Sequence, residues 1–99
     1  MEADNRISVA DPFAKRLMVR YLEHREKDLN SLRTALSQAD FETIRIKGHN
    51  MYGSGSAYGL DRISELGAKL ETAARKQNNA DISQLIESLE AFIRNVRVV

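Results

Sequence analysis

The chain has 99 residues, 42% apolar and 29% charged, with a net charge of +1. That is one small domain with a single modest core, too short for a catalytic cleft between two domains, and its balanced charge gives no reason to expect nucleic acid or an anionic membrane as partner. It has no cysteine, which excludes disulfides, thiol catalysis and thiolate metal sites.

Residues 1–10 read as a flexible lead-in and residues 11–99 as the domain. The lead-in is polar and carries Glu2 and Asp4, so it is not expected to be a signal peptide. No apolar run approaches the length of a membrane span. The expected compartment is the cytoplasm.

Asp11-Pro12 predicts a helix start, because Asp caps free N–H groups and Pro is tolerated at the first helical position. Phe13, Leu17, Tyr21, Leu22, Leu29, Leu32 and Leu36 then recur near helical spacing and are expected to face inward. Two readings stand for this first helix. It is one long helix of about 25 residues, above the average length, or it breaks near Glu23–Lys27, where the stripe lapses at Arg25.

Asp40 is expected to cap a second helix. Its inward positions, Phe41, Ile44, Gly48, Met51, Gly55 and Tyr58, are spaced 3, 4, 3, 4 and 3, a bundle-type seam. Two of its members are glycine, which lets a neighbouring helix come close. The helix should end near Tyr58-Gly59, with Gly59 as a left-handed cap. A third helix is predicted from about Leu60 to Lys76. Gln77-Asn78-Asn79 is a turn with Asn79 as the next cap, and a fourth helix covers about Ala80 to Val96. Glu23–Lys27, Glu65–Lys69, Glu71–Arg75 and Glu90–Arg94 are spaced for i,i+4 ion pairs. Val96-Arg97-Val98-Val99 alternates, but the run is too short to count as a strand. Four helices with short connections make an all-α, antiparallel up-down four-helix bundle. Each stripe is used up by the bundle, so the chain is expected to be a monomer.

All five glycines lie between Gly48 and Gly67, and His49 lies inside that cluster. At about 100° per residue, His49 shares a helix face with Arg45, Tyr52, Gly53 and Ser56, flanking the inward seam. Gly53, one turn on, leaves a notch of bare backbone beside the imidazole. From Thr43 through Leu60 there is no Asp or Glu, whereas Arg45 and Lys47 are present. Imidazole carries a lone pair near pH 7 and serves as a covalent carrier in group transfer. Phosphoryl transfer depends on in-line positioning and charge neutralisation, which a partner can bring.

The other motifs carry less. His24 lies among charged residues and reads as solvated. Gly53 through Gly59 is not a dinucleotide loop, because its third glycine is one position late and no strand precedes it. Two distant histidines without cysteine make a weak case for zinc.

Gly48-His49-Asn50-Met51-Tyr52-Gly53-Ser54, then Tyr58-Gly59-Leu60 and Ile63-Ser64-Glu65-Leu66, resemble the signature of histidine phosphotransfer (HPt) domains. That signature runs small-His-x-(Leu/Met)-Lys-Gly-Ser, with a further Gly and a helix after it. The resemblance spans about Pro12 to Val96 and is to a stand-alone member. It implies a four-helix domain in which His49 carries phosphate between receiver-domain aspartates in a two-component phosphorelay. Gly53 matches the glycine that clears room for the receiver, and Met51 and Gly59 match packing and turn positions. The implied partners are response-regulator receivers and hybrid sensor kinases. No cofactor or metal is implied on this chain, since Mg²⁺ resides on the receiver, and the chain is a carrier rather than an enzyme.

One position departs from the pattern. The family usually has Lys where this chain has Tyr52, which donates a hydrogen bond but no charge. Arg45, one turn before His49, is the candidate to compensate, whereas Lys47 lies about 200° round the helix. The departure motivates a second reading, an HPt-fold scaffold that docks a receiver or kinase without transfer.

Overall fold

The computed structural model describes residues 6–99, in the order β1 (Arg6–Ile7), α1 (Pro12–Ser37), α2 (Phe41–Ser54), a 3₁₀ turn (Ser56–Tyr58), α3 (Asp61–Arg75), α4 (Asn79–Asn95) and β2 (Arg97–Val98). Its four helices make a bundle, with one short two-stranded ladder at the chain ends. The first helix is one piece of 26 residues, so the break near Glu23–Lys27 does not occur. Asp11 caps it, its side chain accepting from the Phe13 N–H at 3.0 Å.

At about 1.5 Å per residue α1 is some 39 Å long and α2 about 21 Å. The first turns of α1 therefore project past the bundle. Phe13 is 60% exposed and Leu17 41% exposed, so these two do not face inward as their spacing predicts. Periodicity names a face of the helix, and here the neighbouring helix stops before covering it. Further along, Tyr21, Leu29, Leu32 and Ala35 are buried.

Both tight connections use one device. Ala39 (φ 55°) and Gln77 (φ 53°) take the left-handed conformation. The next residue's N–H then reaches back, Asp40 N to Ala35 O at 2.8 Å and Asn78 N to Ala73 O at 3.0 Å. This closes the carbonyls of the ending helix. The same two residues cap the helices that follow: Asp40 accepts from Thr43 N and Asn78 from Asp81 N, each at 3.1 Å. The cap of α4 is thus Asn78, not Asn79. With three residues in each of these two connections, α2 runs back along α1 and α4 runs back along α3.

The α2–α3 contact holds the site. A Cβ on Gly48 would lie 2.7 Å from Gly67 O, and one on Gly67 would lie 2.6 Å from both Gly48 O and Tyr52 N. Gly55 likewise sits where a Cβ would meet Ser64 N at 2.6 Å. Glycine at these positions lets two helix backbones touch. The buried Ser64 hydroxyl donates to Tyr52 O at 3.0 Å and accepts from Ser56 N at 2.8 Å, fixing the end of α2. Tyr21 ties the same end to α1, through a 2.6 Å hydrogen bond between its hydroxyl and Ser54 Oγ and a stack on Tyr58. The helix ends at Ser54, four residues before the expected boundary, and the chain turns through Ser56–Tyr58 to Gly59, whose φ of 74° is the left-handed cap.

At the chain ends, β1 pairs in parallel with β2, Arg6 opposite Arg97 and Ile7 opposite Val98. Val9 N also donates to Val99 O at 3.0 Å. The terminal alternation therefore forms a short ladder, and the described part of the lead-in is tied to it rather than free. The rest of the lead-in, residues 1–5, lies outside the described residues.

Candidate functional site

His49 stands on the exposed side of α2 with its side chain 63% exposed. Its Nδ1 lies 3.4 Å from Glu71 Oε1 on α3, at the long end of hydrogen-bond range. Glu71 is only 14% exposed, and its second oxygen accepts from Arg75 Nη2 at 2.8 Å. An Arg75–Glu71–His49 chain results. A carboxylate at Nδ1 favours the tautomer with its proton there, which leaves the lone pair on Nε2.

Gly53, one turn on, is open, with nothing within 4 Å of a Cβ built on it. It differs in this from Gly48, Gly55 and Gly67, which are packed against backbone. Tyr52 is 56% exposed, and its carbonyl is held by Ser64. His49, Tyr52 and Gly53 therefore share an exposed surface, as their spacing predicts.

The other two predicted site residues are placed differently. Arg45 is engaged within its own helix, donating from Nε and Nη2 to Glu42 at 2.9 and 2.7 Å. That bidentate contact lowers the Glu42 carboxyl below its ordinary pKa and raises that of Arg45. Glu71 adds to the Arg45 shift through its charge, and Arg45 and Arg75 line one shallow concavity. Ser56 is not on α2. It sits in the 3₁₀ turn, bound to Ser64 through both its N–H and its hydroxyl. Lys47 turns to α1 and pairs with Asp28 at 3.1 Å.

Sequence reasoning missed Glu71 and Arg75. Residues 43–60 are free of acid, but the neighbouring helix supplies one. The available signal was the glycine pair, because Gly48 against Gly67 places the residue after Gly48 beside the next turn of α3. Among the described residues no group of three or more His, Cys, Asp or Glu side chains could hold a metal. Among the described residues no helix is long and apolar enough to cross a membrane.

A family model described as Hpt domain matches residues 16–98. No curated protein and no solved structure matches the chain.

Proposed function

Since the chain belongs to the Hpt domain family, whose members carry phosphoryl groups on histidine in phosphorelays and meet receiver domains or kinases there, we propose that His49 is its phosphoacceptor. The observation that carries this is an exposed imidazole whose Nδ1 faces Glu71, beside the open backbone at Gly53.

In the proposed step the Nε2 lone pair attacks the phosphorus of a receiver aspartyl phosphate. The Nε2–P bond forms as the P–O bond to the aspartate breaks, and the aspartate leaves as carboxylate. Nδ1 keeps its proton, so the ring becomes a phosphorylated cation, and Glu71 compensates that charge. Return to a second receiver reverses these bond changes. The receiver brings its own Mg²⁺, and this chain needs no cofactor. Gly53 gives the receiver room, and Tyr52 offers the incoming surface a hydroxyl.

Position 52 is Tyr rather than Lys, so the cations this reading calls on are Arg45, one turn before His49, and Arg75, joined to His49 through Glu71. Arg45 and Arg75 are each held by a carboxylate, Glu42 and Glu71. The Arg45–Glu42 pair lies at the surface and contributes little to folding, so exchanging its carboxylate for a phosphoryl oxygen is inexpensive. The scaffold reading rests on the same absent lysine.

The test is to incubate the domain with phosphorylated receivers and Mg²⁺ and follow acid-labile phosphate on it. Label is expected on the wild type and not on His49→Gln, while Gly53→Glu folds but accepts none. Binding to receivers without any label on the wild type would replace the carrier reading with the scaffold.

A further inference from the structure

A groove of about 510 Å³ runs between α3 and α4 and takes none of its lining from α1 or α2. One wall carries Arg62, Lys69 and Lys76, seven residues apart. Seven residues bring a helix back to within about 20°. The three cations therefore form one row, spaced by about 10 Å and spanning some 21 Å. The floor includes Leu66, Ala73 and Leu85, and the facing wall presents Asp81, Gln84 and Ser88.

Asp81 is the one carboxylate lining the groove, and it accepts from Asn78 at the start of α4. Arg62 pairs with Glu65 on its own helix. Among the described residues Lys69 and Lys76 are in no ion pair within salt-bridge distance. The lining has three cations against one anion, and Glu65 beside it pairs with Arg62 and also feels the Lys69 charge, so the net excess is one positive charge, centred on Lys69 and Lys76.

This groove does not overlap the His49 surface. Lys69 is two residues from Glu71, about 200° round α3, so the groove opens on the other flank of that helix. A partner held there leaves His49 free.

The pattern narrows the occupant. A small anion would touch only one cation, because the cations stand about 10 Å apart. A bilayer would gain little, because Leu66 and Ala73 are already buried. A second copy does not match, because none of α1–α4 carries two carboxylates seven residues apart. A foreign helix with carboxylates at that interval meets the row in register over about four turns, and small side chains between them let it settle against Leu85, the part-exposed residue of the floor.

We propose that the α3–α4 groove is a second docking site, for an acidic amphipathic helix of a partner protein. It holds the carrier while His49 exchanges its cargo, and its existence does not depend on what His49 does.

The test uses a 16-residue helical peptide with Glu at three positions seven apart and Ala or Leu facing the groove. The control peptide has Lys at those three positions. Binding is mapped by amide shifts on the full ¹⁵N-labelled domain. The expected shifts are confined to α3 and α4, and the Lys peptide produces none. Lys69→Glu/Lys76→Glu, both exposed, is expected to fold normally, to lose at least tenfold in affinity and to keep its His49 phosphorylation. No shifts at millimolar peptide, shifts centred on α2, or equal affinity for the charge-reversed variant would overturn the proposal. So would binding of anionic vesicles in place of the peptide.

Discussion

Replacing each of three glycines by alanine should give opposite results according to what faces it. At Gly67 the new Cβ would lie 2.6 Å from Gly48 O and Tyr52 N and 2.7 Å from Met51 Cβ. Ordinary contact begins near 3.4 Å, so α2 and α3 must part by roughly 0.8 Å locally. The opposing oxygen and nitrogen are backbone, so no side-chain rotation relieves the clash. Overpacking costs about 1–3 kcal/mol and sometimes more, while alanine regains about 1 kcal/mol of helix propensity. With two rigid contacts the cost sits at the upper end, and a net loss of about 2 kcal/mol follows for Gly67→Ala and Gly48→Ala. In a domain of this size that lowers Tm by roughly 5–20 °C. Parting the helices also stretches the 3.4 Å contact between His49 and Glu71 beyond hydrogen-bond range. Gly53→Ala places its Cβ in open space, so it should leave Tm unchanged or raise it by a few degrees. Thermal unfolding by circular dichroism reads all three. A Gly67→Ala variant melting with the wild type would refute the claim that backbone contact sets the helix spacing.

Two further predictions use the same material. Glu71→Ala should release the His49 tautomer and slow phosphoryl uptake roughly three- to tenfold, the worth of one long, partly exposed hydrogen bond of about 1 kcal/mol, with Tm nearly unchanged; an imidazole ¹⁵N spectrum indistinguishable from wild type would sink this assignment. Asp40, whose carboxyl is held below its ordinary pKa first by the Thr43 hydroxyl and then by the Thr43 N–H, stabilises the fold in its ionised form, so its contribution is present above the unfolded value near 3.9 and fades as pH falls through the lower folded value. Asp40→Ala should therefore lower Tm at pH 7, with the gap to wild type closing below about pH 4, and a gap constant with pH would contradict the cap.

The helices were largely legible because their signals are local. Asp11, Asp40 and Gly59 act as caps, and two of the four spaced ion pairs form, Glu71–Arg75 and Glu90–Arg94. Glu65 takes Arg62 instead. What sequence could not give was the coverage of each face. Phe13 and Leu17 continue the stripe of α1 but lie beyond the end of α2, and Ser56 keeps helical spacing after the helix has stopped. Both differences come from where the neighbouring element ends, which periodicity within one helix does not encode.

The surroundings of His49 show the same division at finer scale. Its exposure follows from its own helix, one step off the Gly48–Met51 seam. Its carboxylate neighbour follows from another helix and from register. That register is set where Gly48 and Gly67 touch, since a Cβ on Gly48 would come within 2.8 Å of Glu71 N itself. The backbone of Glu71 is therefore pressed against the residue that precedes His49. A one-residue slip of α3 would drive Ala68 or Leu66 against Gly48, which the spacing forbids. The contact that closes α2 on α3 is thus also the one that brings Glu71 to the imidazole. Any substitution that widens it should lose stability and the Nδ1 contact together, whereas a change at Gly53 should separate the two.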